Sequence, residues 1–310
     1  MISPDPTAAP PVIFDRKLLR ARRLRAAAHG AENFLLDRAA EDLADRLQSV
    51  KRRFPQALDL GTPGGALGLR LAWSAQIGRL FSAEPLAHLR APEAGPRISA
   101  DEESLPFRDA SFDLVVSALA LHWVNDLPGA LLQIRRILKP DGLFLATILG
   151  GETLTELRQS LAEAETEIEG GLSPRIAPFV EVRTMGMLLQ RAGFALPVTD
   201  IDRLTVRYSD LAGLFRDLRA MSATNALMAR RRKPLRRATI ARAAENYGMR
   251  FADTDGRLRA TFDLLSISAW APHESQQQPL KPGSARMRLA DALGAKEQPA
   301  GEKAPRLSDD

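Results

Sequence analysis

Asp59, Gly61, Gly64, Gly65 and Glu84 are the first residues of this 310-residue chain whose types and spacing could do chemistry. Ala57-Leu58-Asp59-Leu60 reads as a short buried strand. Gly61-Thr62-Pro63-Gly64-Gly65 follows as a tight turn, and Ala66 to Trp73 opens a helix. In an open parallel sheet, a nucleotide-like ligand lies across the carboxyl ends of the strands. Glycine in the first turn lets ligand and backbone approach closely, because no Cβ intervenes. The free N–H groups of the helix start face negative ligand atoms. Ile77 to Ala83 reads as a second strand ending at Glu84, where an acidic side chain would take ribose hydroxyls. Alone, one such turn reads equally well as structural. Pro63 adds a constraint, since proline fixes φ and removes a backbone donor.

Further chemistry-bearing residues follow. Asp101-Glu102-Glu103-Ser104-Leu105-Pro106-Phe107 comes after a short third strand candidate, Arg97 to Ala100. His122 and Trp123 follow the clearest strand, Ser111 to Ser117, at the edge where substrates sit in such sheets. A histidine there could be a general base or could position a substrate. It reads equally as a satisfied histidine beside a packed indole. Asn125 and Asp126 suit the start of the next helix. Glu152, Glu163, Glu165, Glu167 and Glu169 form an acidic run. That run is either a solvated helix face or a set of carboxylates for an arginine-bearing protein substrate. The four histidines are His29, His88, His122 and His273. None begins a His-x-Asp or His-x-Glu pair, so no metal site is expected. With no cysteine in the chain, disulfides, thiolate sites and cysteine nucleophiles are excluded.

The elements that must position these residues alternate between strand and helix, which implies a parallel, doubly wound sheet. A helix over Leu127 to Leu138, a turn at Lys139-Pro140-Asp141-Gly142 and a strand over Leu143 to Leu149 continue the rhythm. Helices follow at Thr153 to Ile168 and Val182 to Ala192. Val198 to Tyr208 and Ala260 to Trp270 alternate as strands. The domain reading is a flexible arm over 1–11, a helical segment over 12–54, and a main domain over 55–274. The main domain has its core at 55–149 and lid or insertion elements at 150–185 and 209–253. Residues 275–310, rich in Gln, Pro, Gly, Lys and Ser, read as a largely disordered tail.

The net charge is +5, with lysine only at 17, 51, 139, 233, 281, 296 and 303 among 43 basic residues. This is an arginine-rich composition rather than a phosphate-tracking face, so no nucleic acid partner is expected. Two basic clusters stand out, Arg16 to Arg25 and Arg230 to Lys233; the second reads as a solvated face also able to dock an acidic partner. No apolar run reaches the roughly 18 residues of a membrane span, and the first residues lack a signal-peptide core. A cytoplasmic protein with no transmembrane segment, able to sit beside a membrane surface, is the expectation.

Taken as a set, the Asp59 turn, Glu84, Asp101 to Phe107, Ser111-Phe112-Asp113-Leu114-Val115 and Leu138-Lys139-Pro140-Asp141-Gly142 resemble the class I methyltransferase family. The resemblance implies an α/β, Rossmann-like fold: a mostly parallel seven-stranded sheet, helices on both faces, and a helical insertion before the last strand. It implies S-adenosylmethionine over Gly61, Gly64 and Gly65, Glu84 on the ribose hydroxyls, and Asp101 near the adenine amino group with Glu102 alongside. Pro63 stands where the family has its second glycine.

Flanking segments carry a closer resemblance. Ile13-Phe14-Asp15-Arg16, Leu121-His122-Trp123-Val124-Asn125-Asp126-Leu127-Pro128, Gly171-Leu172-Ser173-Pro174-Arg175 and His273-Glu274-Ser275-Gln276 are among them. Together they are similar to the methyltransferase-fold complex I assembly factors of mitochondria and their bacterial counterparts. That likeness implies hydroxylation of an arginine on a complex I subunit during assembly. Malonyl-carrier-protein methyltransferases are more distant, and imply ordinary methyl transfer to a small molecule or carrier-bound carboxylate. A non-catalytic assembly chaperone with the same fold is the third expectation, for which Pro63 is the main argument.

Overall fold

The computed structural model of the chain describes residues 12–87 and 96–277, together with Met287, Asp291, Leu293 and Gly294. The chain divides into the units Met1–His273 and Glu274–Asp310, and every element below lies in the first. The arm over 1–11, His88 and most of the expected tail fall outside the described residues.

Asp15 caps α1 (Arg16–His29), its carboxylate accepting from the Leu18 N–H. Gly30, at φ +87°, ends that helix, and α2 (Phe34–Gln48) follows. Leu35, Leu36, Leu43 and Leu47 of α2 are buried, each worth about 1.5–3 kcal/mol relative to exposure. Next come β1 (Phe54–Leu60), a 3-10 turn over Pro63–Gly65, α3 (Ala66–Leu71), β2 (Ile77–Ala83) and β3 (Arg97–Ile98). Then β4 (Phe112–Ala118), α4 (Leu127–Ile137), β5 (Leu138–Leu149), α5 (Thr155–Glu169) and α6 (Val182–Arg191). The chain closes its sheet with β6 (Ala195–Tyr208), the inserted α7 (Leu211–Ala220) and α8 (Arg237–Phe251), and β7 (Leu258–Trp270).

The seven strands lie in the order β3-β2-β1-β4-β5-β7-β6. β1 to β5 pair in parallel, and β7 runs antiparallel to both β5 and β6. The order reverses at β1, which has β2 on one side and β4 on the other. Such switch points leave a crevice at the carboxyl ends of the strands.

Alternation along the strands explains the layers, because successive side chains point to opposite faces. Leu58, Leu60, Val115 and Phe144 pack with Leu131 and Ile134 of α4 and Met185 and Leu189 of α6. Ala57, Leu114, Val116 and Leu145 pack on the other face with Leu43 and Leu47 of α2 and Leu67 and Leu71 of α3. A third cluster joins α5, α7 and α8 to Ala260 and Phe262 of β7. The α/β fold and the helical insertion before the last strand are as expected. The segment Lys139 to Gly142 differs: it is the start of β5 rather than a turn, with Asp141 at φ +62° and a register shift opposite. No helix among the described residues is long and apolar enough to cross a membrane.

Candidate functional site

The first turn is tied down from three directions. The Gly61 N–H donates to the Ala83 carbonyl at 2.7 Å. Ser117 Oγ donates to the Leu60 carbonyl at 2.7 Å, and the Ala118 N–H donates to Thr62 Oγ1 at 3.0 Å. Gly61 has φ +73°, and a Cβ there would stand 2.8 Å from Glu102 Oε1 and 2.9 Å from Ala120 Cβ. Only glycine fits this backbone and this packing. Gly64 and Gly65 are also left-handed, at φ +62° and +78°. A Cβ at Gly64 would meet nothing within 4 Å, so this side of the turn is open. Pro63 stands at the first position of the 3-10 turn, where a missing N–H leaves no helical bond unmade.

The turn borders a cavity of about 540 Å³ whose lining includes Pro63, Gly64, Glu84, Leu119, His122 and Trp123. That volume lies in the usual range for cofactor and small-molecule sites. Glu84 ends β2 and is 3% exposed; Asp59, inside β1, is fully buried. Side chains of α1, of the start of α2, and of Ala220 to Ala223 complete the lining.

The acidic segment after β3 is held from above by α1. Arg16 pairs with Asp101 at 2.5 Å, with Glu103 at 2.9 Å, and with Glu102. Arg20 reaches Asp101 at 2.5 Å. Burial raises the Asp101 carboxyl, but the Glu103 N–H and Arg16 outweigh it and leave the group below its ordinary value. Likewise, burial works against the Arg16 charge, yet Glu102 and Asp101 outweigh it and the guanidinium is raised. The arginines at 16 to 25 are therefore not simply a solvated face.

The entry to α1 is anchored as well. Asn125 Oδ1 accepts from the Ile13 N–H at 2.8 Å and the Phe14 N–H at 2.7 Å. Asp126 alone caps α4, accepting from the Gly129 N–H; Asn125 serves the N-terminal segment instead. Phe14 bridges to Leu227 and sets its ring edge-on to Trp123 at 5.4 Å. Arg230 pairs with Asp15 at 2.9 Å. The only sign of this roof in the sequence was the likeness carried by Ile13-Phe14-Asp15-Arg16, which pointed to no partner.

His122 follows β4 in a short 3-10 turn and borders the cavity. Its ring tilts on Trp123 at 5.1 Å and meets Phe179 edge-on at 5.9 Å. Nδ1 is buried and has no hydrogen-bond partner among the described residues. Burial, and then the nearby Arg23 charge, push its pKa down to about 3. A neutral imidazole that resists protonation suits hydrogen bonding to a ligand better than general base catalysis, which works best near the operating pH.

The acidic run of α5 is spoken for. Glu165 is 1% exposed and binds Arg175 and the Ser173 hydroxyl and N–H. Glu163 pairs with Arg250, Glu167 with Arg242, and Glu169 with Arg231 and Thr239. Glu163, Glu167 and Glu169 fasten α5 to α8 and the loop before it, and Glu165 fastens the loop that follows α5. They are neither a bare solvated face nor open to a substrate arginine. Among the described residues, no group of three or more His, Cys, Asp or Glu could hold a metal.

A family described as a methyltransferase domain matches residues 58–146. The mitochondrial arginine-hydroxylase NDUFAF5 of Danio rerio is 40% identical over 287 residues, covering 90% of this chain and 89% of that protein. The malonyl-[acyl-carrier protein] O-methyltransferase of Xylella fastidiosa is 35% identical over 270 residues, covering 84% and 89%. A crystal structure from Bacillus halodurans, assigned as a methyltransferase, aligns with a TM-score of 0.53 at 16% identity, covering 75% of this chain and all of that one. At that identity the likeness speaks for the fold alone. Both relatives align over far more of the chain than the matched domain, and the chain belongs to the methyltransferase-domain family that holds the NDUFAF5 arginine hydroxylases and the malonyl-carrier-protein O-methyltransferases.

Proposed function

We propose that the chain binds S-adenosylmethionine in the cavity beside Gly61 to Gly65 and modifies an arginine of a complex I subunit during assembly. It would do so in the cytoplasm, beside the respiratory membrane. The carrying observation is the 40% identity to an arginine hydroxylase over 90% of the chain. That alignment is far longer than the matched domain at residues 58–146. Part of the expected cofactor site lines this cavity: Gly64 opens the turn and Glu84 offers acceptors for ribose hydroxyls. Gly61 makes room for Glu102 and Ala120 beneath the turn, and Asp101 and Glu102, expected at the adenine end, are engaged by Arg16 and Arg20. When bound, the cofactor would supply a methyl group activated on a sulfonium; it carries no oxygen, so arginine hydroxylation would draw its oxygen atom from dioxygen, with a separate two-electron donor reducing the second atom to water. His122 offers a neutral ring to orient the substrate.

Calorimetry with S-adenosylmethionine tests the cofactor half of this reading; no heat of binding would sink it. Mass spectrometry of complex I subunits from cells with and without the protein tests the rest. One added oxygen on an arginine is the expected result. A methyl added to a carrier-bound carboxylate instead would favour the second reading, which rests on the 35% identity to the Xylella fastidiosa O-methyltransferase. The scaffold reading loses its main argument, because Pro63 stands where no helical N–H is missed.

A further inference from the structure

α1 carries several arginines, and all but one of those facing the fold are matched. Arg16 and Arg20 hold the acidic segment at 101–103. Arg22 Nη1 donates to the Thr224 carbonyl at 2.8 Å. Arg23 lies on the same stripe of the helix, about two turns beyond Arg16, where it lines the cavity with Leu19, Ala26 and Ala27. Its side chain is only 12% exposed, and its nearest carboxylate, Glu102, is 4.0 Å away and already engaged by Arg16. Among the described residues it makes no hydrogen bond.

A guanidinium carries five donors. Burying it with none of them matched is costly, and natural proteins rarely leave such a group unmet. Burial lowers the pKa of Arg23, with Arg16 and Arg20 adding to the effect and Glu102 and Glu84 only partly offsetting it. The group faces the cavity rather than bulk water. Planar, bidentate pairing with a carboxylate is what an arginine fork does best.

We infer that Arg23 is the binding residue for a carboxylate brought into this cavity by a ligand. The inference rests on the cofactor reading where that carboxylate belongs to the amino-acid end of S-adenosylmethionine. A carboxylate-bearing acyl substrate is the other source of the same chemistry. The cavity's remaining acids, Glu84 among them, repel such a group, so Arg23 sets where it lies.

The experiment compares the full chain with Arg23→Met and Arg23→Lys in four binding titrations. The probes are S-adenosylmethionine, its decarboxylated analogue, malonyl-coenzyme A and acetyl-coenzyme A. For a cofactor carboxylate, Arg23→Met weakens S-adenosylmethionine about tenfold to a hundredfold and leaves the decarboxylated analogue unchanged. For a substrate carboxylate, the selective loss falls on malonyl-coenzyme A over acetyl-coenzyme A. Arg23→Lys keeps the charge without the fork and gives a smaller loss of the same pattern. Equal losses within each pair, or no loss in either, overturn the assignment. A native chain that binds malonyl-coenzyme A but neither nucleoside overturns the cofactor reading alone. A chain that binds none of the four overturns both. The unchanged decarboxylated analogue, with a thermal melt no lower than that of the native chain, shows that Arg23→Met is folded.

Discussion

At the scale of single residues, the first turn separates two glycine roles. Gly61 is left-handed and packed, while Gly64 is left-handed and open. Gly64→Ala meets only the backbone preference and is expected to cost about 1 kcal/mol. Gly61→Ala must also push Glu102 and Ala120 aside, and is expected to cost about 2–3 kcal/mol. Urea unfolding of the two variants checks the order; equal midpoints would contradict it. His122 provides a second test. Its folded pKa of about 3 lies below the ordinary 6.5, so the unfolded chain takes up this proton first as pH falls. The stability linked to His122 is therefore complete above about pH 6.5 and is lost as pH drops towards 3. In NMR, its ring signals are expected to stay flat between pH 8 and 5, and a titration near 6.5 would refute the burial argument.

At the scale of elements, α5 is fastened to α8 and to the loop that follows α5 by ion pairs of unequal worth. Glu165 is 1% exposed and its partner Arg175 is 14% exposed. Removing one member of a buried pair leaves the other charge unmatched, so Glu165→Gln is expected to cost about 3 kcal/mol. Glu167 and Arg242 are both exposed, and solvent screens such pairs. Glu167→Gln is expected to leave the denaturation midpoint unmoved. Burial raises the Glu165 carboxyl, but Arg175 and the Ser173 donors outweigh it and hold the folded value below the ordinary 4.5. Its contribution is thus present above about pH 4.5 and is lost as pH falls through the depressed folded value. Chemical denaturation of both variants at pH 7 and pH 4 is the check: the Glu165→Gln deficit should shrink at the lower pH.

At the scale of the molecule, the cavity draws its walls from the whole of the first unit. The floor is the β1 turn, one wall is the end of β2, and the roof is α1 with the ends of α2 and α7. A ligand held by so many elements stabilises all of them together. At a concentration a hundred times its dissociation constant, S-adenosylmethionine is expected to add about 2.7 kcal/mol and to raise the melting temperature by several degrees. Differential scanning calorimetry with and without the cofactor measures this, and an unchanged melt would count against the proposed function.

The sequence by itself determined the sheet and its turn. Continuous apolar runs in short strands, such as Leu114 to Val116, can be satisfied only by cover on both faces. A tight strand-to-helix turn calls for glycine at 61. These are local demands, met within a few residues of where they arise, so they were legible without coordinates; the neighbours that pack on Gly61, Glu102 and Ala120, were not. Only the tertiary structure decided what the charged residues do. Arg16 and Asp101 are 85 residues apart in the chain, as Arg230 and Asp15 are 215 apart, and no spacing rule links such pairs. The acidic run of α5 looked available for a substrate because its partners on α8 are remote in sequence. Asn125 looked like a helix cap because the segment it holds lies more than a hundred residues earlier. Arg23 shares a stripe of α1 with Arg16 and Arg20 and differs from them in lying over the cavity. What each turn of a helix lies over is set by packing, and that is why the cavity-lining arginine could not be told from the structural ones until the chain was folded.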